Sequence, residues 1–255
     1  KAEQVGTTPV EINPATNSST AGTNYGTIQW KNSGVANPVA TWGRKNGQMF
    51  IAYTDSADSG KLKGALHRPG ESSFDVTNTT LINTSNADWM TKDAAYDVDN
   101  EHYGVIGRDS GDSSKPKFIY IDSANTGNLS PGSITTLHNN SSNAGMDMRL
   151  VYCGSGRFAA LTFDYGSSER LCSFLLTWNG SSYTKSSQIN LPSGTYGKNP
   201  AMCYHADAGK LICIWRAEQS SNAVVYSVGT IGSNTITWSS RANVEATDKG
   251  RHLEI

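Results

Sequence analysis

Charge of one sign is what this chain most lacks. Its 21 Lys and Arg stand against 22 Asp and Glu, a formal net charge of −1, with no basic run and no acidic tail. Long-range attraction to nucleic acid or to an anionic membrane is therefore not expected. Long apolar runs are missing too: no stretch approaches the roughly 18 apolar residues that span a bilayer. No signal-peptide pattern opens the chain, which begins at Lys1 rather than Met. That start is expected of a processed product or of a piece of a larger polypeptide.

Cysteine is scarce. Cys153, Cys172, Cys203 and Cys213 have neither the Cys-x-x-Cys spacing of a zinc site nor the density of a disulfide scaffold. They read as small buried hydrophobes, with one disulfide left open and its pairing unreadable. The five His (His67, His102, His138, His205, His252) show no ligand spacing, and neither a Gly-x-Ser-x-Gly elbow nor a P-loop occurs. No cofactor and no metal are expected.

What the chain does have is repetition. Four apolar runs separated by turn residues recur about every 50–55 residues, the sign of a stacked or radial repeat. The clearest copy runs NPAMCYHADAGKLICIW from Asn199, then VVYSVGTIG and NTITWSS. Other copies begin at Asn37, Lys92 and Met146. The second run of each unit aligns best: Gly47–Tyr53, Glu101–Gly107, Gly156–Thr162 and Gly209–Trp215. A Gly ahead of such a run supplies the positive φ that hairpins favour, and runs this apolar fit strands covered on both faces. At 36% hydrophobic residues over 255 positions, with Ser, Thr, Asn and Gly abundant, the composition suits many short strands and exposed turns.

The ends match. Residues Lys249 to Ile255 fall where the first strand of a fifth unit belongs, and Thr27-Ile28-Gln29-Trp30 matches the outer strand Thr235-Ile236-Thr237-Trp238. The fold expected is all-β: one five-bladed β-propeller of four-stranded antiparallel sheets, closed by a composite blade from both termini, which removes free edges. Blade 1 spans about 36–90, blade 2 about 91–145, blade 3 about 146–198 and blade 4 about 199–246, with blade 5 built from about 1–35 and 247–255.

The unit from Ala206 to Trp238 resembles the propeller-like repeats of tail-fibre and other structural proteins of marine bacteriophages. The likeness is good in the fourth unit, fair in the first and loose in the others. It implies a virion-associated, extracellular role as a fibre or adhesin, and no catalytic residue. Ser56-Ala57-Asp58-Ser59-Gly60-Lys61 also resembles the Ser-x-Asp-x-Gly turn of sialidase propellers. It reads as a hairpin turn that the other three units do not reproduce, and its acids lack the alternating ligands of an EF-hand loop.

First strands line a propeller's channel, so their polar residues are the candidates for chemistry. Asp93, Asp147 and Glu254 could supply the two carboxylates of glycoside hydrolysis; the bland reading pairs them with Lys92, Arg149 and Arg251 to keep the channel satisfied. Trp30, Trp178, Trp215 and Trp238 are expected to pack between blades. Trp42 and Trp89 are the aromatics expected to be exposed for a ligand, with Arg149 and Arg251 as polar contacts. Together these give a non-enzymatic recognition domain, binding a surface glycan or a neighbouring virion protein and free to form a homo-oligomer in a larger assembly. The alternatives are a secreted glycoside hydrolase using the channel carboxylates, or a soluble lectin.

Overall fold

The structure is a computed structural model, and it describes residues 34–245 apart from 46, 72, 83–88, 124–127, 140–147, 165–169, 193–196 and 218–222. The described residues form four antiparallel up-and-down sheets. The first holds β1 (Val35–Gly43), β2 (Gln48–Asp55), β3 (Lys61–His67) and β4 (Val76–Ile82). In the second are β5 (Trp89–Asp97), β6 (His102–Asp109), β7 (Lys115–Asp122) and β8 (Ser130–Thr136). The third contains β9 (Arg149–Tyr152), β10 (Arg157–Asp164), β11 (Arg170–Trp178) and β12 (Tyr183–Lys185), with β13 (Ile189–Asn190) also on β11. The fourth has β14 (Gly197–His205), β15 (Lys210–Ala217), β16 (Ala223–Ile231) and β17 (Ile236–Trp238), with β18 (Ala242–Glu245) also on β16.

One backbone device makes all four units alike. The residue ahead of each second strand takes a left-handed conformation: Gly47 at φ 64°, Glu101 at 58°, Gly156 at 64° and Gly209 at 60°. Glycine meets that demand without a Cβ clash, and Glu101 meets it at a cost of about 1 kcal/mol. Glu101 is held by other means: its carboxylate pairs with Lys45 at 2.5 Å, and its carbonyl accepts from the backbone N–H and hydroxyl of Ser123.

The second strands carry the core. Phe50, Ala52, Val105, Ile106, Ala159, Leu161, Leu211 and Cys213 are all buried to 0% exposure, each large one worth roughly 1.5–3 kcal/mol of burial. Their side chains meet those of the neighbouring sheet. One cluster joins the first sheet to the second, where the Phe50 and Tyr103 rings stack at 4.6 Å. A further cluster joins the second to the third, and another the third to the fourth. The first strands follow one another in series, β1 against β5, β5 against β9 and β9 against β14. This is a propeller-like stack of four sheets. The composite fifth blade, expected over about 1–35 and 247–255, lies outside the described residues except for Gly34 and Val35, and Val35 belongs to β1.

Of the tryptophans expected between blades, the three that are described behave as interior residues. Trp215 is buried, and Trp178 and Trp238 pack on the clusters; the Trp238 indole N–H also donates to the Ser173 hydroxyl at 2.9 Å. All four cysteines are free, with three buried.

One expectation about the turns is corrected. The turn after β2 does have a counterpart, the turn after β6. In each, an Asp caps a 3-10 turn, Asp55 over Ser56–Asp58 and Asp109 over Ser110–Asp112, and a left-handed Ser closes it, Ser59 at φ 54° and Ser113 at 55°. The acids of these turns hold lysines: Asp58 pairs with Lys61 and Lys63, and Asp112 with Lys115 and Lys117.

Candidate functional site: an aromatic collar

The pairing of first and second strands puts four residues at one repeat position. Trp42 lies opposite Met49, Tyr96 opposite Tyr103, Tyr152 opposite Phe158 and Tyr204 opposite Leu211. Every unit thus has an aromatic at the end of its first strand. All four line one pocket of about 570 Å3. Two positions further on, Arg44, Val98, Gly154 and Ala206 line the same pocket, and Thr41, Ala94, Ala95, Leu150 and Val151 complete its wall.

The collar is uneven. Tyr96 is buried against Tyr103. Tyr152 packs edge-on against Phe158 and donates its hydroxyl to Asp99; burial first, and then Asp99, pushes that hydroxyl's pKa up, so it stays protonated. Trp42 is 45% exposed and Val98 37%, two of the four exposed large hydrophobics among the described residues. Exposed apolar surface converging on a concavity is the ordinary mark of a ligand site.

Arg44 sits on the hairpin after β1. That hairpin is pinned by the Gly47 N–H donating to the Gly43 carbonyl at 2.9 Å and by the Lys45–Glu101 ion pair. Arg44 is exposed. The nearby acids on the second sheet are engaged. Asp97 is wholly buried and accepts from the Asp99 and Asn100 amides, the Asn100 side chain and, at 2.5 Å, the Tyr183 hydroxyl. Asp99 accepts from Tyr152 and from the Gly156 N–H.

The residues singled out from sequence are scattered. Trp42 is in the pocket. Trp89 starts β5 opposite Asp109, seven residues before Tyr96 and so about 20 Å along the strand at ~3.3 Å per residue, and it is not among the residues lining the pocket. Asp93 lies on β5 beside a register shift, and its carboxylate accepts from the Leu150 amide of the third sheet at 2.8 Å and from the Ala94 amide at 2.9 Å. Burial raises its pKa against the opposing pull of those amides and of Arg149. Arg149, at the same repeat level on β9, donates to the Met148 carbonyl at 2.7 Å. Asp147, Arg251 and Glu254 lie outside the described residues. Among those described, no three His, Cys, Asp or Glu gather as a metal site, and no helix is long and apolar enough to cross a membrane.

Tyr96, Tyr152, Tyr204 and Arg44 were not singled out in the sequence. The signal was there. An aromatic stands five residues ahead of the left-handed hairpin position in three units, and four ahead in the third.

No protein-family model matches the chain, and no curated protein does. Solved structures share its fold. A Bacteroides uniformis protein named as a 6-phosphogluconolactonase superposes with a TM-score of 0.54 at 14% identity, over 82% of this chain and 55% of its own. A Dyadobacter fermentans protein of unknown function gives 0.52 at 11%, over 84% and 71%, and AofleA from the fungus Arthrobotrys oligospora gives 0.51 at 10%, over 81% and 56%. The chain thus spans little more than half the length of two of the three. These findings correct the bacteriophage reading: the fold likenesses are to these fungal and bacterial proteins and not to tail fibres. They correct the non-enzymatic, virion-associated reading as well, because the shared fold includes a structure named as an enzyme. At these identities what is shared is the fold.

Proposed function

We propose that this chain is an extracellular, glycan-directed β-propeller that holds its sugar in the aromatic collar. One observation carries the reading: an aromatic at the same position of all four described units faces a single pocket, with Trp42 left exposed there. Aromatic faces with a polar tip suit sugar rings, which present apolar C–H faces edged by hydroxyls. The Arg44 guanidinium and the Tyr204 hydroxyl supply polar contacts at the rim.

Glycoside hydrolysis is the second reading, and Asp93 favours it. A carboxyl on a first strand with a raised pKa is what a general acid requires. Asp147 or Glu254 would supply the partner carboxylate. A glycan array run with a turnover assay on the same sugars tests both. Binding lost in Trp42→Ala supports the collar, and binding indifferent to Trp42 and to Tyr204→Phe overturns it. Cleavage abolished by Asp93→Asn, with binding and melting temperature unchanged, establishes the hydrolase; cleavage that survives removes Asp93 from it.

The ring is proposed to close with a fifth, composite blade. The support is the match of Thr27–Trp30 to the segment around β17, whose Trp238 fixes its sheet to the third through Ser173. Deleting 247–255 should then lower the melting temperature by several degrees, since one lost kcal/mol moves it by about 2–4 °C in a chain of this size. An unchanged melting temperature would rule closure out.

A further inference from the structure

We infer that the collar selects a saccharide bearing a carboxylate, with Arg44 as the residue that reads it. The inference rests on the glycan-directed reading above and adds the class of sugar. It follows from where the repeat breaks. The aromatic position is filled alike in all four units, as an apolar platform needs. Two positions on, the residues are Arg44, Val98, Gly154 and Ala206: three without charge and one with it. Among the described residues, Arg44 is the one charged side chain of the pocket wall, and no carboxylate lines it.

The pocket's charge is therefore lopsided. Of the acids flanking Val98 on the second sheet, Asp97 has both oxygens on protein donors and Asp99 has Oδ2 held by the Tyr152 hydroxyl and the Gly156 N–H, and Lys45 is matched by Glu101. Arg44 is the cation left facing the pocket among the described residues. It stands on a pinned hairpin, so little conformational freedom is lost when it engages a ligand. A planar guanidinium fork fits a planar carboxylate with two parallel N–H···O bonds, a match a tetrahedral sulfate makes less well. A sugar ring stacked on Trp42 with its carboxylate toward Arg44 would keep that charge on the first-sheet side, away from Asp99.

The test is a titration of the full chain with a galacturonic acid oligosaccharide, its neutral galactose counterpart and a sulfated galactose oligomer, at low and high salt. The expected result is tighter binding of the uronic acid form, weakened by salt and reduced about three- to tenfold in Arg44→Ala, with a smaller loss for the neutral form, so that the preference between the two falls. Arg44→Lys should recover only part of the preference. Equal binding of acidic and neutral forms, or a sulfated form preferred, overturns the carboxylate assignment and leaves the collar standing. Failure of all three sugars, with the same failure across the glycan array, overturns the collar and this inference together.

Discussion

The two ends of the inner strands make an instructive contrast, because both carry repeated residues and only one leaves them unsatisfied. At the far end, Asp55 to Lys63 and Asp109 to Lys117 repeat a capped turn whose charges close on themselves. Lys117 shows how: burial pulls its pKa down, but hydrogen bonds from its ammonium to Asp109 and Asp112 more than reverse this, and the net shift is upward. At the collar end, the repeated aromatics line an open pocket, Trp42 is left exposed there, and Arg44 has no partner among the described residues. Repetition alone marks a structural requirement. Repetition combined with exposure marks a surface kept for something outside the chain.

The largest effect should come from breaking the far end. Asp109→Ala removes the cap and leaves Lys117, whose side chain is only 11% exposed, without its 2.6 Å partner. We expect a loss of about 2 kcal/mol in urea denaturation, from the cap and the closer of the two Lys117 pairs, since Asp112 still holds the ammonium at 2.9 Å, with collar ligands still bound by the folded fraction. A loss under about 1 kcal/mol would make this an ordinary surface pair.

Acid should give a smaller, graded effect through the sister turn. Hydrogen bonds from Lys61 and Lys63 hold the Asp58 carboxyl down to about 2, against an ordinary 3.8. The folded pKa lies below the unfolded one, so this stabilisation is complete above about pH 4 and is lost as pH falls toward 2. Melting curves of Asp58→Asn should lose less between pH 4 and pH 2 than those of the parent chain. Parallel curves would mean that the lysines do not hold Asp58 in solution.

The smallest effect on stability should be that of Trp42→Ala, within about 0.5 kcal/mol as for an exposed side chain, although this variant is the one expected to abolish glycan binding. A costly Trp42→Ala would turn the collar into packing and dissolve the contrast.

The all-β architecture could be read from residues because hairpins and buried strands have local causes. Gly47, Gly156 and Gly209 announce a positive φ, and the apolar runs behind them announce strands covered on both faces. Glu101 interrupts the glycine series yet takes the same φ, because Lys45 and Ser123 hold it from other parts of the chain. The second Asp-capped turn was less visible: its Ser113-Ser114 stands where the first has Ser59-Gly60, and Ser114 still takes a left-handed φ of 61°. Only Trp42 of the collar stood out in the sequence. Tyr96, Tyr152 and Tyr204 are ordinary tyrosines until strand pairing gives them one level, and the third unit's hairpin is a residue shorter. Asp93 was legible as a polar group on a first strand, but its acceptance of the Leu150 amide crosses between sheets, which no local pattern encodes.

The equivalence of the four collar positions has a consequence for how a ligand sits. A collar with an aromatic in each unit, however unevenly exposed, offers a neutral ring more than one rotated pose, and four poses of equal energy would add at most about 0.8 kcal/mol of mixing entropy while leaving the ligand's orientation undefined. A single guanidinium lifts that degeneracy. It turns a pseudo-symmetric cup into a socket with a keyed orientation, so the direction in which a bound chain leaves the pocket is set by the one position where the four units disagree in charge.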